Sequence, residues 1–232
     1  MDPNELQQTK AVFASLLTLP DDDLPLDVLC LLLCRLGGHD IDVKEQQALL
    51  TDDATGLPSS FEHLVPHLFA GPDAYRGNTE NYYDPANSML SEVRRTRLGI
   101  PITLSVLAIE FGRRARVPIR GIGMPGHFLI ASGIDADVFA DPFDNGRLLS
   151  RADARRTFER VSGGKAAWHD SYLEPTSTRD IVFRILNNLR VACSKQLSQR
   201  VHLPWINELS SWFPQGAPFD RRGADRLMAP FN

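Results

Sequence analysis

The chain has 232 residues, of which 43% are hydrophobic and 23% are charged, a composition typical of a globular protein that buries a core. Its formal net charge is -4 and it contains no long basic run, so we do not expect it to bind nucleic acid. The acidic N-terminus does not resemble a signal peptide. The most apolar run, 24–36, is too short and too charged to span a bilayer. We therefore expect a cytoplasmic protein with no membrane partner.

The chain contains three cysteines, Cys30, Cys34 and Cys193. An odd number in a chain of this length does not fit the disulfide framework of a secreted protein. Cys30 and Cys34 are four residues apart among leucines, which predicts buried core thiols on one helix face. His63 and His67 lack the order of a zinc-binding helix motif, so no metal and no cofactor are expected.

Helical patterns dominate the first ~70 residues, where apolar residues recur at helical spacing. An acidic run at 21–23 favours the start of a second helix. A capping-box pattern, Ser59-x-x-Glu62, predicts the start of a fourth, which Pro66 should end or kink. The first two predicted helices cover 5–19 and 25–37. A third is predicted to begin near Asp42, and a fourth after Ser59.

A loop is predicted for 71–85, followed by a short helix that ends at Gly99. Asn87 and Ser88 stand at the start of this helix, where one of them is expected to cap it and fix the loop. The alternative interpretation is that they line a cleft. Pro101 then opens a central helix, since proline is favoured at the first helical position. Residues 102–111 are apolar on nearly every side, which predicts a buried helix.

Short strands are predicted next, at 117–123, 127–132 and 137–141. If the turn between the last two is centred on Ile134, paired positions sum to 268 and His127 faces Asp141 across the hairpin. A carboxylate in that place can orient an imidazole and stabilise its protonated form, as in a catalytic triad. The alternative is a structural pair in which the two side chains only satisfy each other.

Several motifs in this order resemble the SirB-type branch of the transglutaminase-like superfamily. Related domains also occur in a eukaryotic F-box protein. The resemblance spans roughly residues 5 to 200. Its motifs are NYYDPANS (81–88), GIPITLS (99–105), PGHFL (125–129), DPF (141–143) and GRLLS (146–150).

The resemblance implies a papain-like α+β fold, in which N-terminal helices pack on an antiparallel sheet. Active members of the superfamily have a Gly-x-Cys at the start of the central helix, then a histidine on a strand and an Asp-Pro dipeptide on the next strand. Here Pro101 occupies the position of the catalytic cysteine, while His127 and Asp141 occupy the other two. Proline keeps the helix start but removes the thiolate nucleophile. The chain is therefore not a cysteine-dependent transglutaminase or protease.

Three hypotheses follow for the function. The first is a non-catalytic module that binds a peptide or protein, or regulates one, through the former cleft. The second is a hydrolase or acyl-transfer enzyme in which His127 and Asp141 act with water or with the hydroxyl of Thr103 or Ser105. The third is a purely structural His127–Asp141 pair. An imidazole buried beneath residues 71–88 would contradict both cleft hypotheses.

The chain divides by prediction into a transglutaminase-like domain, residues 1–175, and a C-terminal helical extension, residues 176–232. Ser177-x-x-Asp180 predicts the cap of a helix over 181–199, and a partner helix is expected at 204–213. The extension resembles a truncated tetratricopeptide-like repeat, with its motifs at 187–189 and 220–223. Because such helices need stacked neighbours, these are expected to pack on the main domain or on another molecule.

Overall fold

The computed structural model describes residues 2–213, and within them lie nine α-helices and six short β-strands. The helices are α1 (Pro3–Leu16), α2 (Leu26–Leu36), α3 (Val43–Asp53), α4 (Phe61–Phe69), α5 (Leu90–Thr96), α6 (Pro101–Ala115), α7 (Arg151–Ser162), α8 (Thr178–Lys195) and α9 (Leu203–Ser211). The strands are β1 (Arg76–Gly77), β2 (Leu98–Gly99), β3 (Ile119–Ile122), β4 (Leu129–Ser132), β5 (Phe139–Asp141) and β6 (Arg147–Leu149). Helices on an antiparallel sheet are the predicted α+β architecture.

The first three helices lie close to their predicted positions. Asp42 caps α3 by accepting a hydrogen bond from the N–H of Glu45, which satisfies one free donor of the first turn. Helix α2 is apolar on nearly all sides and lies in the core, where Cys30 and Cys34 are buried. Cys193 on α8 is buried as well. All three thiols are free, and the burial of Cys30 and Cys34 confirms their prediction as core thiols.

The predicted capping box of α4 is not formed. The helix begins after Ser60, whose hydroxyl lies 2.8 Å from Nδ1 of His63 and makes no capping hydrogen bond. Pro66 does not end the helix, which runs on to Phe69. Proline removes only one N–H donor, and the buried side chains of Leu64, Val65 and Leu68 hold the helix in place.

The cap and the end predicted for α5 are both wrong. Asn87 and Ser88 belong to a 3-10 turn at Pro85–Ser88, and Met89 precedes the helix without a side-chain cap. The helix ends at Thr96, and the next residue, Arg97, adopts the left-handed conformation with φ 60°. Gly99 instead lies in β2, which pairs in parallel with β1. Arg97 is held there because its guanidinium donates to the carbonyl of Asp73 and lies 5.3 Å from the ring centre of Tyr75.

Helix α6 begins at Pro101, as predicted, and its buried side chains pack against β3 and β4. The main sheet is antiparallel in the order β3-β4-β5-β6. Successive residues of a strand point to opposite faces. Ile130 and Ala140 therefore face the large core with α6 and α8, while Ala131 and Phe139 face a smaller core with α7.

The predicted hairpin register is wrong by two residues. Ile130 pairs with Ala140 and Ala131 pairs with Phe139, so paired positions sum to 270 and not to 268. The connecting turn is longer than predicted, because Ser132 Oγ accepts hydrogen bonds from the N–H groups of Ile134 and Asp135 and stabilises a wider turn.

The C-terminal helices pack on the rest of the chain. Ser177 caps α8 as predicted, and its hydroxyl accepts from the N–H of Asp180 at 3.1 Å. Helix α9 packs on α8, and Ile185 and Leu189 of α8 share the large core with α2 and α6. The motif predicted at 220–223 lies outside the described residues. Among residues 2–213, no helix has the length and apolar composition needed to cross a membrane.

Candidate functional site

A tight turn between β3 and β4 positions His127. The N–H of His127 donates to the carbonyl of Met124, and Gly126 takes a left-handed conformation with φ 74° that favours glycine. Arg184 of α8 donates to the carbonyls of Met124 and His127 at 2.8 and 3.1 Å. Burial lowers the pKa of the Arg184 guanidinium to about 10, so it stays charged at neutral pH. The turn is therefore held by a half-buried cation from α8.

Asp141, the last residue of β5, lies against His127. Its Oδ2 is 2.7 Å from Nε2 of the imidazole, and its Oδ1 accepts from the N–H groups of Phe143 and Asp144 at 3.0 and 3.3 Å. Burial alone would raise the pKa of the carboxyl, but the imidazole and these N–H donors outweigh burial and hold the pKa below its usual value. The predicted contact is present for another reason: the turn before β4, and not cross-strand opposition, brings His127 to Asp141.

An aromatic cover, formed by Tyr82 and Phe143, lies over this pair. The ring of Phe143 meets the imidazole edge-on, with 6.4 Å between centres, and Tyr82 meets Phe143 edge-on at 5.9 Å. A Cβ added at Gly77 would lie 2.5 Å from Phe143, so glycine there lets the chain approach the cover. The His127 side chain is only 5% exposed. The His127 side chain therefore does not face an open cleft in this conformation.

The second ring nitrogen of His127 has an unusual environment. Nδ1 is buried and has no hydrogen-bond partner among the described residues. In a neutral imidazole that donates from Nε2 to Asp141, the lone pair is on Nδ1. Most buried polar atoms in native proteins are hydrogen-bonded. The free lone pair is thus the one feature of the site that a purely structural pair leaves unexplained.

The N-terminal end of α6 is closed as well. Pro101 is buried at the first position of α6. The hydroxyl of Thr103 donates to the carbonyl of Asn87 at 2.6 Å and accepts from the N–H of Ile100 at 3.2 Å. The hydroxyl of Ser105 donates to the carbonyl of Pro101 at 2.8 Å. Both hydroxyls hold backbone groups, so neither is brought to His127 as a substitute nucleophile.

Asn87 fixes the loop that carries Tyr82, one of the two residues of the aromatic cover. Its side-chain amide donates to the carbonyls of Asn81 and Tyr82 at 2.7 and 3.1 Å, and its Oδ1 accepts from the amide of Asn78 at 3.0 Å. Asn87 and Ser88 are both buried and do not line an open cleft. The predicted loop-fixing role of Asn87 is present, without the predicted helix cap.

Three residues of the site were not predicted from the sequence: Tyr82, Phe143 and Arg184. For Arg184 a signal existed, because it is a single cation within the apolar run 181–186, and a charge in such a run needs partners. In the described part of the chain, no cluster of three or more potential metal ligands is present. His63 and His67 are exposed.

Sequence comparisons agree with this architecture. The family model described as "Transglutaminase-like superfamily" matches residues 41–187, a segment that includes Pro101, His127 and Asp141. A UPF0162 protein of Xylella fastidiosa (strain Temecula1) is 36% identical over 188 residues, which cover 75% of this chain and 67% of that protein. The UPF0162 protein PA3419 of Pseudomonas aeruginosa is 35% identical over 106 residues, 46% of this chain and 38% of that protein.

A shorter segment is shared with a eukaryotic protein. F-box only protein 21 of Homo sapiens is 33% identical over 85 residues, which cover 33% of this chain and 14% of that protein. No solved structure matches the chain significantly. The family match covers more than half of the chain and includes both the central helix and the His127–Asp141 pair. The chain belongs to the transglutaminase-like superfamily.

Proposed function

We propose that this chain is a non-catalytic transglutaminase-like protein that acts as a protein-binding or peptide-binding module, or as a regulatory one. The observation that supports this function best is the closed environment of the His127 side chain, which is 5% exposed. Proline at position 101 supplies no nucleophile, and the hydroxyls of Thr103 and Ser105 are hydrogen-bonded to backbone carbonyls. Acyl transfer needs a nucleophile that lies within reach of both a base and the substrate. Neither the proline nor the two hydrogen-bonded hydroxyls provide such a nucleophile in this conformation.

The pair of His127 and Asp141 then has a structural role in this proposal. Asp141 holds the imidazole and two N–H groups of the next turn, so it ties the end of β5 to the start of β4. A bound peptide would contact surfaces outside the pair, since the aromatic cover separates the imidazole from solvent. This differs from the hypothesis in which the former cleft itself is the binding site.

The unpartnered Nδ1 of His127 favours a second candidate, a hydrolase in which His127 acts as a general base on water. That function requires the ring of Phe143 to move away from the imidazole, because the side chain is closed in the present conformation. Asp141 would then orient the imidazole and stabilise its protonated form.

Turnover assays separate the two candidates. The wild-type chain, His127→Ala and the exposed control His67→Ala would be tested for hydrolysis of p-nitrophenyl acetate and for transfer of a glutamine-containing peptide to dansylcadaverine. We expect no turnover above buffer in any of the three. Turnover by the wild type and by His67→Ala that disappears in folded His127→Ala would instead establish the hydrolase.

We also propose a cytoplasmic location and a place in the SirB-type branch, with proline substituted for the catalytic cysteine. Three free, buried thiols support the location, because unpaired cysteines persist in reducing compartments. The order of the motifs around Pro101, His127 and Asp141 supports the branch.

A further inference from the structure

The 3-10 turn Leu197–His202 connects α8 to α9 and presents two apolar side chains to solvent. Leu197 is 80% exposed and Val201 is 73% exposed. Burying such side chains in a complex is favourable, because it removes apolar surface from water. The adjoining residues of α8 extend this surface. We call residues 195–202 together the tip.

The charge of the tip differs from that of the rest of the chain. Residues 181–207 contain no Asp or Glu, although the whole chain carries a net charge of -4. Within this stretch Lys195 and Arg200 are exposed and Arg190 is half-buried. A positive, partly apolar surface is complementary to an acidic partner.

The tip also touches the loop that closes the site. Gln196, at the end of α8, donates to the carbonyl of Tyr83 at 3.1 Å, and the ammonium of Lys195 lies 3.5 Å from the centre of the Tyr83 ring. Tyr83 in turn meets Tyr82 of the aromatic cover edge-on at 5.3 Å. A partner seated on the tip would therefore contact an element that holds the cover over His127.

We propose that the tip is a docking surface for an acidic protein segment that carries aliphatic or aromatic side chains. The inference rests on the proposed function, of which it names the surface and the class of partner. Leu197 and Val201 supply the apolar contacts, while Arg200 attracts the carboxylates and sets the orientation.

A protein fits the tip better than a membrane or a nucleic acid does. Membrane-surface helices present a long apolar face, whereas the tip offers two aliphatic side chains on a short turn. Proteins that bind single-stranded nucleic acid stack bases on exposed aromatic rings along a basic groove. The exposed apolar groups of the tip are aliphatic, and Lys195 lies on the ring of Tyr83.

A random-peptide display library, selected on the whole wild-type chain, tests the proposal. We expect the enriched peptides to be rich in Asp and Glu and to contain Leu, Ile, Val or Phe. Dissociation constants of the most enriched peptide would then be measured by fluorescence anisotropy. For Leu197→Ser combined with Val201→Ser, and separately for Arg200→Glu, we expect the dissociation constant to rise about tenfold or more. Binding should also weaken as salt is added.

Two exposed control substitutions far from the tip match these changes in chemistry. Ile134→Ser removes a side chain that is 85% exposed on the sheet hairpin, and Arg155→Glu reverses a charge on the surface of α7. Both controls should leave the dissociation constant within about twofold of the wild type. Circular dichroism of each variant would verify that it is folded.

Several results would overturn the docking surface. They are failure to enrich any peptide, enrichment without acidic residues, and equal loss of binding in the controls. A further contrary result would be Arg200-dependent binding of phosphatidylserine vesicles or of a single-stranded oligonucleotide in place of the acidic peptides. Failure of the proposed function is distinguishable, because it would appear as His127-dependent turnover, whatever the peptides do.

Discussion

Asp141 illustrates how one buried side chain holds several neighbouring groups in place. A carboxylate that is removed from water loses its hydration, and only close donors compensate for that loss. Asp141 has three such donors, from His127, Phe143 and Asp144. Its oxygens therefore fix the imidazole and the turn that carries the ring of Phe143.

Replacement of Asp141 by alanine should lower the free energy of unfolding by about 3 kcal/mol or more, because it leaves a buried imidazole and two N–H groups without their acceptor. Asp144→Ala is the matched control, since its side chain makes only an exposed ion pair with Arg147, worth under about 1 kcal/mol. Urea unfolding at neutral pH measures both. Equal losses in the two variants would contradict the role given to Asp141.

At the residue scale, the sequence predicts the site only in part. Pro101, His127 and Asp141 could be identified because their motifs follow one another in a recognisable order. The contacts of Arg184 with the turn and of Phe143 with the imidazole could not be predicted, since they depend on how distant segments pack. Thr103 was a candidate nucleophile by position alone, and only the carbonyl of Asn87 in the folded chain explains its role.

Two helices of the protein stabilise each other at their ends. The carboxylate of Asp21 accepts from the N–H groups of Thr178 and Arg179, both at 2.9 Å, at the start of α8. The guanidinium of Arg179 donates to the carbonyls of Leu17 and Leu19, just past the end of α1. The segment after α1 therefore supplies an acceptor to the free N–H groups at the start of α8, and α8 supplies donors to the free carbonyls just past the end of α1.

Substitution of Asp21 by alanine should destabilise the protein by about 1–2 kcal/mol, the usual cost of losing a helix cap. The neighbouring Asp22 is exposed, so Asp22→Ala provides a control of the same charge change in the same acidic run. Thermal unfolding of the two variants side by side measures the difference. A melting temperature lowered equally by both would show that charge, and not capping, is responsible.

Element boundaries were predictable where local chemistry sets them. Pro101 begins α6 and Ser177 caps α8, because both act on the adjacent backbone. The end of α5 was not predictable, since Gly99 is the usual left-handed residue but contacts with Asp73 and Tyr75 hold Arg97 in that conformation. The hairpin register likewise depends on hydrogen bonds within the turn, which the count of residues does not reveal.

A buried network of charged and polar side chains joins α2, α3 and α6. The guanidinium of Arg114 contacts Asp27 of α2 and Glu110 of α6 at 2.8 and 2.5 Å, and the Asp27 carboxylate also accepts from Gln47 of α3. Burial and the nearby Asp27 raise the pKa of Glu110. Arg113 reaches the same two carboxylates from a position that is 59% exposed, whereas Arg114 is 8% exposed.

Arg114→Met should therefore cost about 3–5 kcal/mol of stability, because two buried carboxylates lose their buried cation. Arg113→Met removes a cation from the same carboxylates but from the solvent side, and should cost under about 1 kcal/mol. Chemical denaturation of both variants provides the comparison. A similar loss for the two arginines would refute the distinction drawn between them.

The contacts of α8 have a consequence for the order in which the protein matures on the ribosome. Synthesis proceeds from the N-terminus, and earlier segments begin to fold before later ones emerge. The donors from Thr178, Arg179 and Arg184 reach back to Asp21 and to the carbonyl of His127. Until α8 leaves the exit tunnel, the carboxylate of Asp21 and the carbonyl of His127 in the nascent chain therefore lack these donors. These contacts form only after α8 has been synthesised.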